Sequence, residues 1–177
     1  MSALPIRTFG DPVLRDRARP VESFDDALAR LAENMIVTMH EAPGVGLAAP
    51  QVGRPIRLIV FDVGEEENGA RAFVNPVLKN EWGEQIDEEG CLSLPGLYYP
   101  VRRAQKVWAE GFDLKGHEVT IEAEDLLARV LQHEVDHLDG VLFIDRLDAD
   151  HRTQAMAALR DQTLGLIPVA TDPSRSL

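Results

Sequence analysis

Residues 123–138 constrain the fold of this chain most, because they combine helical periodicity with a pattern of metal-binding side chains. Gly140 follows just past the end of this segment. Its apolar residues recur at the spacing of one helix face: Leu126, Leu127, Val130, Leu131, Val135 and Leu138. The same segment contains His133-Glu134-Val135-Asp136-His137. Residues four apart share a helix face, so the two imidazoles can bind one metal ion. The sequence therefore predicts a helix that carries two metal ligands.

Glu134 is the candidate general base of such a site. It directly follows the first histidine, about 100° further around the helix, and precedes the second histidine by three residues. From there it can reach a water molecule at the metal without being a ligand itself. The alternative is an ordinary helix with two hydrogen-bonded histidines and a surface glutamate, which requires this spacing to arise by chance.

A catalytic metal site of this kind needs a third protein ligand. The metzincin proteases place a third histidine six residues after the second, but this chain has Phe143 at that position. Thermolysin-like enzymes use a downstream glutamate, and no glutamate follows Glu134 here. The third ligand is therefore upstream or an aspartate. Cys91, the only cysteine, is a buried core residue, an exposed thiol or a ligand.

Two further segments complete a set of three motifs. They are Gly44-Val45-Gly46-Leu47-Ala48-Ala49-Pro50-Gln51 and Glu89-Gly90-Cys91-Leu92-Ser93-Leu94-Pro95-Gly96. The first contains Gly-x-Gly, but no predicted strand leads into it and no lysine follows it, so a flexible loop is expected there rather than a nucleotide site. With all three motifs in this order, the chain resembles the peptide deformylases over residues 6–147. The resemblance implies a hydrolase that removes the N-formyl group from the formylmethionine of newly made proteins.

The same resemblance implies roles for individual residues. The metal ligands would be Cys91, His133 and His137, and Glu134 would transfer protons. Gln51 and the backbone N–H of Leu92 would stabilise the oxyanion. The implied metal is Fe²⁺, which Zn²⁺, Ni²⁺ or Co²⁺ can replace, and the implied partners are N-formylmethionyl nascent peptides, met in transient proximity to the ribosome.

The expected substrate-binding positions are Val45, Gly46, Glu89, Leu126 and Val130. Val45, Leu126 and Val130 would line an apolar pocket for the methionine side chain, although simple core packing explains them equally well. The resemblance would pair Glu89 with Arg103, and a plain surface ion pair is the alternative. Many family members have an arginine near the peptide at the position of Tyr98, so the replacement of that contact by Arg102 or Arg103 stays open.

The remaining elements predict an α+β fold. Strands are predicted at residues 57–62, 72–78, 105–110 and 119–122, and helices at 23–42, with Ser23 as its cap, and from Asp148 or Asp150 to 164. Because helices and strands do not alternate regularly, we expect short, mostly antiparallel strands packed around a central metal-binding helix, with N-terminal and C-terminal helices. Residues 1–177 are expected to form a single catalytic domain with a polar tail after about residue 168.

Composition excludes several functions. A net charge of −12 disfavours direct nucleic-acid binding, which requires a basic surface. No apolar run approaches the ~20 residues of a membrane span, and residues 1–7 do not resemble a secretion signal, so a cytoplasmic location is expected. The acidic run at residues 65–67 and the turn at 67–69 are expected to form a solvated loop.

Two rival functions stay open at this point. A metallopeptidase that cuts internal peptide bonds would use the same helix, but it leaves the cysteine motif and Phe143 unexplained. A non-catalytic metal-binding module would have no use for a glutamate that is not a ligand, and it would normally close the fourth coordination position.

Overall fold

The computed structural model describes residues 1–64 and 69–169, and over these ranges helices and antiparallel strands combine in the predicted α+β class. The helices are α1 (Asp26–Glu41), α2 (Asp125–Leu138) and α3 (Ala149–Thr163). The strands are β1 (Gly46–Ala48), β2 (Leu58–Phe61), β3 (Arg71–Trp82), β4 (Gln85–Glu89), β5 (Tyr99–Arg103), β6 (Lys106–Phe112) and β7 (Glu118–Glu124). Short 3₁₀ turns occur at Pro12–Leu14, Ala49–Val52 and Phe143–Arg146.

The strands form one sheet and one ribbon. The sheet has five strands in the order β1-β2-β3-β6-β7, and each neighbouring pair is antiparallel. Strands β4 and β5 pair with each other as a separate antiparallel ribbon, in which Glu89 lies opposite Tyr99. The ribbon therefore places the residue just before Gly90-Cys91 in a fixed register.

Helices α1 and α2 cover opposite faces of the sheet, and β2 shows this most clearly. Its side chains alternate between two core clusters. Ile59 and Phe61 pack in the cluster that contains Val130 and Leu131 of α2. Leu58 and Val60 pack in a second cluster, which contains Met35 and Met39 of α1. Because successive strand residues point to opposite faces, a strand covered on both sides is apolar throughout.

Helix α2 is buried on every side along most of its length. All residues from 128 to 138 are buried, including the charged and polar ones. The sheet covers one side. A third cluster joins β5, the turn after α2, and α3; it contains Cys91, Leu94, Val101, Phe143 and Leu159. Charged side chains on α2 must therefore find their partners inside the protein, since burial without a partner costs several kcal/mol.

Most predicted elements agree with the structure to within a few residues, but some details differ. Helix α1 begins at Asp26 and is capped by Asp25, whose carboxylate accepts from the Leu28 N–H at 3.0 Å, so the predicted Ser23 cap is wrong. Strands β4 and β5 were not predicted. Residues 46–52 form β1 and a buried 3₁₀ turn instead of the expected flexible loop.

Other expectations fall at the limits of the described chain. The acidic run at residues 65–67 lies outside the described residues, as does most of the polar tail, of which residues 170–177 are not described. Within residues 1–64 and 69–169, none of the helices is long and apolar enough to span a bilayer.

Candidate metal centre

Two parts of the chain bring three potential metal ligands together. His133 and His137 lie one turn apart on α2, and Cys91 follows β4 after a single glycine. One ligand atom from each residue lies within 4.8 Å of the others, and all three residues are buried. The Cys91 Sγ lies 3.3 Å from the His137 Nε2, and the two imidazole centroids are 5.0 Å apart. The structure thus brings together the three ligands that the resemblance implied.

Glu89 fixes the orientation of the first histidine. Its Oε2 lies 2.9 Å from the His133 Nδ1, which leaves Nε2 of that ring to face a metal. Hydrogen bonding of one ring nitrogen to a carboxylate selects the tautomer and direction of a ligand histidine. Glu89 is fully buried. It therefore holds the His133 ring from its Nδ1 side, rather than lying on an open substrate surface.

Glu89 belongs to a buried network of charges, so the surface ion pair considered as an alternative is wrong. Arg103 donates from Nε to its Oε1 at 2.7 Å and from Nη2 to its Oε2 at 2.9 Å. Arg129 donates from Nη1 to Oε1 at 2.8 Å. Arg103 also donates from Nη1 to Asp136 at 2.6 Å, and Asp136 accepts from Arg146 at 2.5 Å.

The network sets the ionisation of these groups. Burial opposes the charge on Glu89, but hydrogen bonds from Arg103 and His133 outweigh it and hold the pKa of the carboxyl well below its usual range. Burial also opposes charge on His133, yet its hydrogen bonds to Cys91 and Glu89 raise the pKa of that imidazole. Burial and the neighbouring His133 lower the pKa of His137. Glu89 is therefore an anion, and its hydrogen bond to His133 contributes to the opposite pKa shifts of the two imidazoles.

Glu134 lies between the two histidines on α2, and only 2% of it is exposed. Its Oε2 has no hydrogen-bond partner among the described residues. Burial raises the pKa of Glu134 to about 7. A carboxyl group with a pKa near neutrality can both accept and return a proton at neutral pH.

Gly46 makes room for this carboxylate. A Cβ atom added at Gly46 would meet the Glu134 side chain, lying 2.9 Å from its Cδ and closer still to Oε1. Because real Cβ atoms essentially never approach other atoms this closely, a Cβ atom at residue 46 would displace the Glu134 carboxylate from its present position. The structure therefore places Gly46 against the proposed base.

Gln51 lies next to Cys91 with its side chain held at both ends. Its Oε1 accepts from the Ala48 N–H at 2.8 Å, and its Nε2 lies 3.2 Å from Ser93 Oγ and 3.6 Å from Cys91 Sγ. This arrangement turns the amide N–H groups toward the ligand cysteine. Leu92, whose N–H was the second expected oxyanion donor, is half-buried directly after that cysteine.

The three residues expected to line an apolar pocket lie in different surroundings. Val130 is fully buried in the core cluster of α2 and the sheet, and Val45 is half-buried against the same cluster. Leu126 is 44% exposed near the start of α2. Val45 and Val130 thus share one cluster, whereas Leu126 contributes an exposed apolar surface.

The arginines near Tyr98 are already engaged elsewhere. Arg103 is buried between Glu89 and Asp136, and the exposed Arg102 pairs with Glu84 at 2.6 Å. The ring of Tyr98 lies against Gly90, since a Cβ added there would be 2.5 Å from Cε1 of the ring. In this chain an aromatic ring, rather than a cation, therefore covers the backbone that precedes Cys91.

The donor set fits a divalent metal. One thiolate and two imidazoles suit zinc, iron, nickel and cobalt, and three protein ligands leave a coordination position for water or substrate. The buried, unpartnered oxygen of Glu134 requires a polar neighbour that the described residues do not supply. Phe143 cannot be a ligand, and its ring is stacked on His133 with centroids 6.3 Å apart.

Sequence reasoning missed several residues of this site. Arg129, Asp136 and Arg146 take part in the buried network, and Ser93 contacts Gln51. The one available signal was Arg129, a charged residue one turn before His133 in an otherwise apolar stretch of the helix. The partners of Asp136, Arg103 on β5 and Arg146 in the turn after α2, had no sequence signal.

Known proteins resemble this chain along nearly its whole length. The profile of the family described as polypeptide deformylase matches residues 3–153. The peptide deformylase of Acidothermus cellulolyticus is 53% identical over 161 residues, which cover 91% of this chain and 88% of that protein. Solved peptide deformylase structures are similar as well. The one from Legionella pneumophila has a TM-score of 0.86 and 42% identity, covering 93% of this chain and 97% of that chain. The one from Thermus thermophilus has a TM-score of 0.85 and 47% identity, covering 92% of this chain and 96% of that chain.

Proposed function

The chain belongs to the polypeptide deformylase family, and from that premise we propose that it is a metal-dependent hydrolase that removes the N-formyl group from formylmethionine at the N-terminus of newly made proteins. One observation supports this proposal most strongly. Cys91, His133 and His137 converge, and Glu134 lies between the two histidines on α2. Glu134 is buried, and one of its oxygens has no hydrogen-bond partner among the described residues. That combination suits hydrolysis and has no use in a closed structural metal site.

Cys91, His133 and His137 would hold the metal, and the fourth position would be open to water and substrate. When bound, a divalent metal would supply Lewis acidity and would lower the pKa of water to roughly 7, so that hydroxide is available to attack a formamide at neutral pH. The Cys91 thiolate adds negative charge to the centre and tempers this acidity. Glu89 keeps the His133 ring in the direction that its role requires.

The remaining steps fall to side chains of this chain. Glu134 accepts the proton of the attacking water on Oε2, for which the described residues supply no hydrogen-bond partner, and returns it to the departing amine. Such a role is worth about 10²- to 10⁴-fold in rate. The Gln51 amide and the Leu92 N–H stabilise the oxyanion that forms on the formyl group. Val45, Gly46 and Val130 would line the substrate side of the centre, and Leu126, whose apolar side chain is exposed, would extend it.

We further propose that the physiological metal is Fe²⁺, although the same ligands also suit Zn²⁺, Ni²⁺ and Co²⁺. Residues 1–177 would act as one catalytic domain in the cytoplasm, on N-formylmethionyl nascent peptides close to the ribosome.

Metal analysis of anaerobically purified protein determines which metal the protein binds. We expect about one iron ion per chain and faster loss of activity in air for the iron form than for the nickel or zinc form, because iron(II) and its thiolate ligand are both oxidisable.

A pair of matched peptides tests the reaction itself. We expect the metal-loaded protein to release formate from a formyl-Met peptide. The matched peptide, which lacks the formyl group, should not be cleaved. Cleavage of an internal peptide bond in both peptides would favour the rival metallopeptidase. Metal binding without turnover of either peptide would favour a non-catalytic module.

A further inference from the structure

Arg129 is a buried cation of α2 for which neither the motifs nor the proposed mechanism gives a role. It is 2% exposed and lies one helix turn before His133. Residues at this spacing share a helix face, so the guanidinium of Arg129 and the imidazole of His133 point toward the same region. Both of them contact Glu89.

The hydrogen bonds to Glu89 saturate its carboxylate. Oε1 accepts from Arg103 Nε at 2.7 Å and from Arg129 Nη1 at 2.8 Å. Oε2 accepts from Arg103 Nη2 at 2.9 Å and lies 2.9 Å from His133 Nδ1. Each oxygen therefore has two partners, which is the number of lone pairs that it can use. With all four positions filled, the carboxylate is held in one orientation.

The two arginines are not equivalent. Arg103 divides its donors between Glu89 and Asp136, and Asp136 is also held by Arg146, which is nearly half exposed. The described contacts of Arg129 include Glu89 as its one carboxylate partner; its other acceptors are the Val101 carbonyl at 3.0 Å and the Gln85 Oε1 at 3.4 Å. Arg129 is thus the cation committed to Glu89.

We infer that Arg129 is a positioning residue of the metal centre, which holds Glu89 so that Glu89 in turn aims the His133 ring at the metal. The inference rests on the proposed metal centre and adds a residue that acts on it through two hydrogen bonds. Removal of Arg129 leaves one lone pair of a fully buried carboxylate without a donor. Arg103 alone would then position the Glu89 carboxylate, and the hydrogen bond from Glu89 that orients His133 would weaken.

A purely structural role is the competing explanation, because Arg129 also ties α2 to the ribbon of β4 and β5. Its bonds to Val101 and Gln85 serve that purpose. Gln85 itself anchors the ribbon by donating to the Ala104 and Asp125 carbonyls at 3.0 and 2.9 Å, without contacting Glu89. Gln85→Met therefore weakens the anchoring of the ribbon while leaving the carboxylate with all four of its partners.

The test measures Co²⁺ affinity by competition with a chelator, together with the visible spectrum of the Co²⁺ form. Arg129→Met removes the cation but keeps an unbranched apolar stem, and Arg129→Lys keeps one charge without the forked geometry. Arg160→Met, at an exposed arginine of α3 that pairs with Asp161, is the matched control. Far-UV circular dichroism establishes that each variant is folded.

We expect Arg129→Met to bind Co²⁺ about 10-fold or more weakly and to shift the Co²⁺ spectrum, since loss of a residue that supports a ligand typically costs 10- to 100-fold in metal affinity. The Co²⁺ affinity of Arg129→Lys should be intermediate, and the affinities of Gln85→Met and Arg160→Met should match that of the parent.

Equal weakening of Co²⁺ binding in Arg129→Met and Gln85→Met would overturn the inference in favour of ribbon anchoring. Parent-like affinity and spectrum in Arg129→Met would overturn it outright. If Arg129→Met does not fold, parent-like values in Arg129→Lys would do the same. A parent protein that binds no Co²⁺ would instead refute the proposed metal centre on which the inference rests.

Discussion

At the scale of single residues, Gly46 shows how a backbone position can set the chemistry of a side chain. The close passage of β1 beside Glu134 leaves no room for a Cβ atom. We predict that Gly46→Ala displaces the Glu134 carboxylate and lowers turnover about 10- to 100-fold at unchanged metal content, because small displacements of a catalytic group have effects of this size. Steady-state kinetics with metal analysis measures both quantities.

A double-mutant cycle shows whether Gly46→Ala acts through Glu134. In a Glu134→Gln background, Gly46→Ala should cause little further loss of turnover, since the group that it displaces has already lost its function. Independent, multiplicative losses in the two variants would show that Gly46 acts by another route.

Cys91 is the ligand whose chemistry is hardest to replace. Serine offers a neutral hydroxyl where the site needs a thiolate. We predict that Cys91→Ser loses most of its metal or most of its activity, whereas Ser93→Ala, two residues away and still buried, keeps its metal. Stoichiometric metal and a full rate in Cys91→Ser would remove Cys91 from the ligand set.

At the scale of elements, α2 explains what the sequence could and could not predict. The spacing of His133 and His137 is local, so the helix and its two ligands could be predicted from periodicity and a single motif. From residue 128 to its end, however, the helix is buried all around, and its apolar pattern marks only part of what it buries. The partners of Arg129 and Asp136 lie on β4, β5 and the turn after α2, and such pairings depend on the tertiary fold.

The connection after α2 is held by Asp145. This carboxylate accepts from the Leu142 N–H at 2.9 Å and from the side chain of Arg15. Burial opposes its charge, but these bonds outweigh it and lower the pKa of Asp145 below its usual value. A lowered folded-state pKa stabilises the protein above the unfolded-state pKa, and this stabilisation is lost as the pH falls through the folded-state value.

We therefore predict that Asp145→Asn lowers the free energy of unfolding by about 1 kcal/mol at pH 7. The difference from the parent should shrink as the pH falls below about 4, where the carboxyl of the unfolded parent begins to be protonated, and it should vanish below the lowered folded-state pKa. Urea unfolding of parent and variant at pH 7 and at a pH below about 4 measures this difference. Asp150→Asn, at an exposed aspartate, is the control. A difference that is the same at both pH values would mean that the charge of Asp145 does not contribute.

At the scale of the whole molecule, the α+β class and the helices were predictable, whereas the division of strands was not. Strand β4 carries three acidic residues and β5 contains a proline, so neither has the alternating apolar pattern of a half-buried strand. They form because they pair with each other, and Glu89 at the end of β4 then reaches α2. Strand β1 is only three residues long, too short for a periodic signal.

Local sequence patterns carry no information on contacts between distant segments. The resemblance to a family was therefore needed to predict which distant residues would meet. Cys91 lies far upstream of the helix, and the residues alone left the third ligand open. The structure brings Cys91 to His133 and His137. Their roles, and that of Glu134, stay predictions until the protein is assayed.

The most direct test of the proposed mechanism is Glu134→Gln, which keeps the length and hydrogen-bonding capacity of the side chain but cannot accept and return a proton. The variant should fold and bind as much metal as the parent, and its turnover on a formyl-Met peptide should fall by about 10²-fold or more. The affinity for an unreactive substrate analogue should change much less, because the loss lies in the transition state. A variant that binds no metal would make Glu134 a ligand or a support for one, and a metal-replete variant with near-normal turnover would contradict its role as the base.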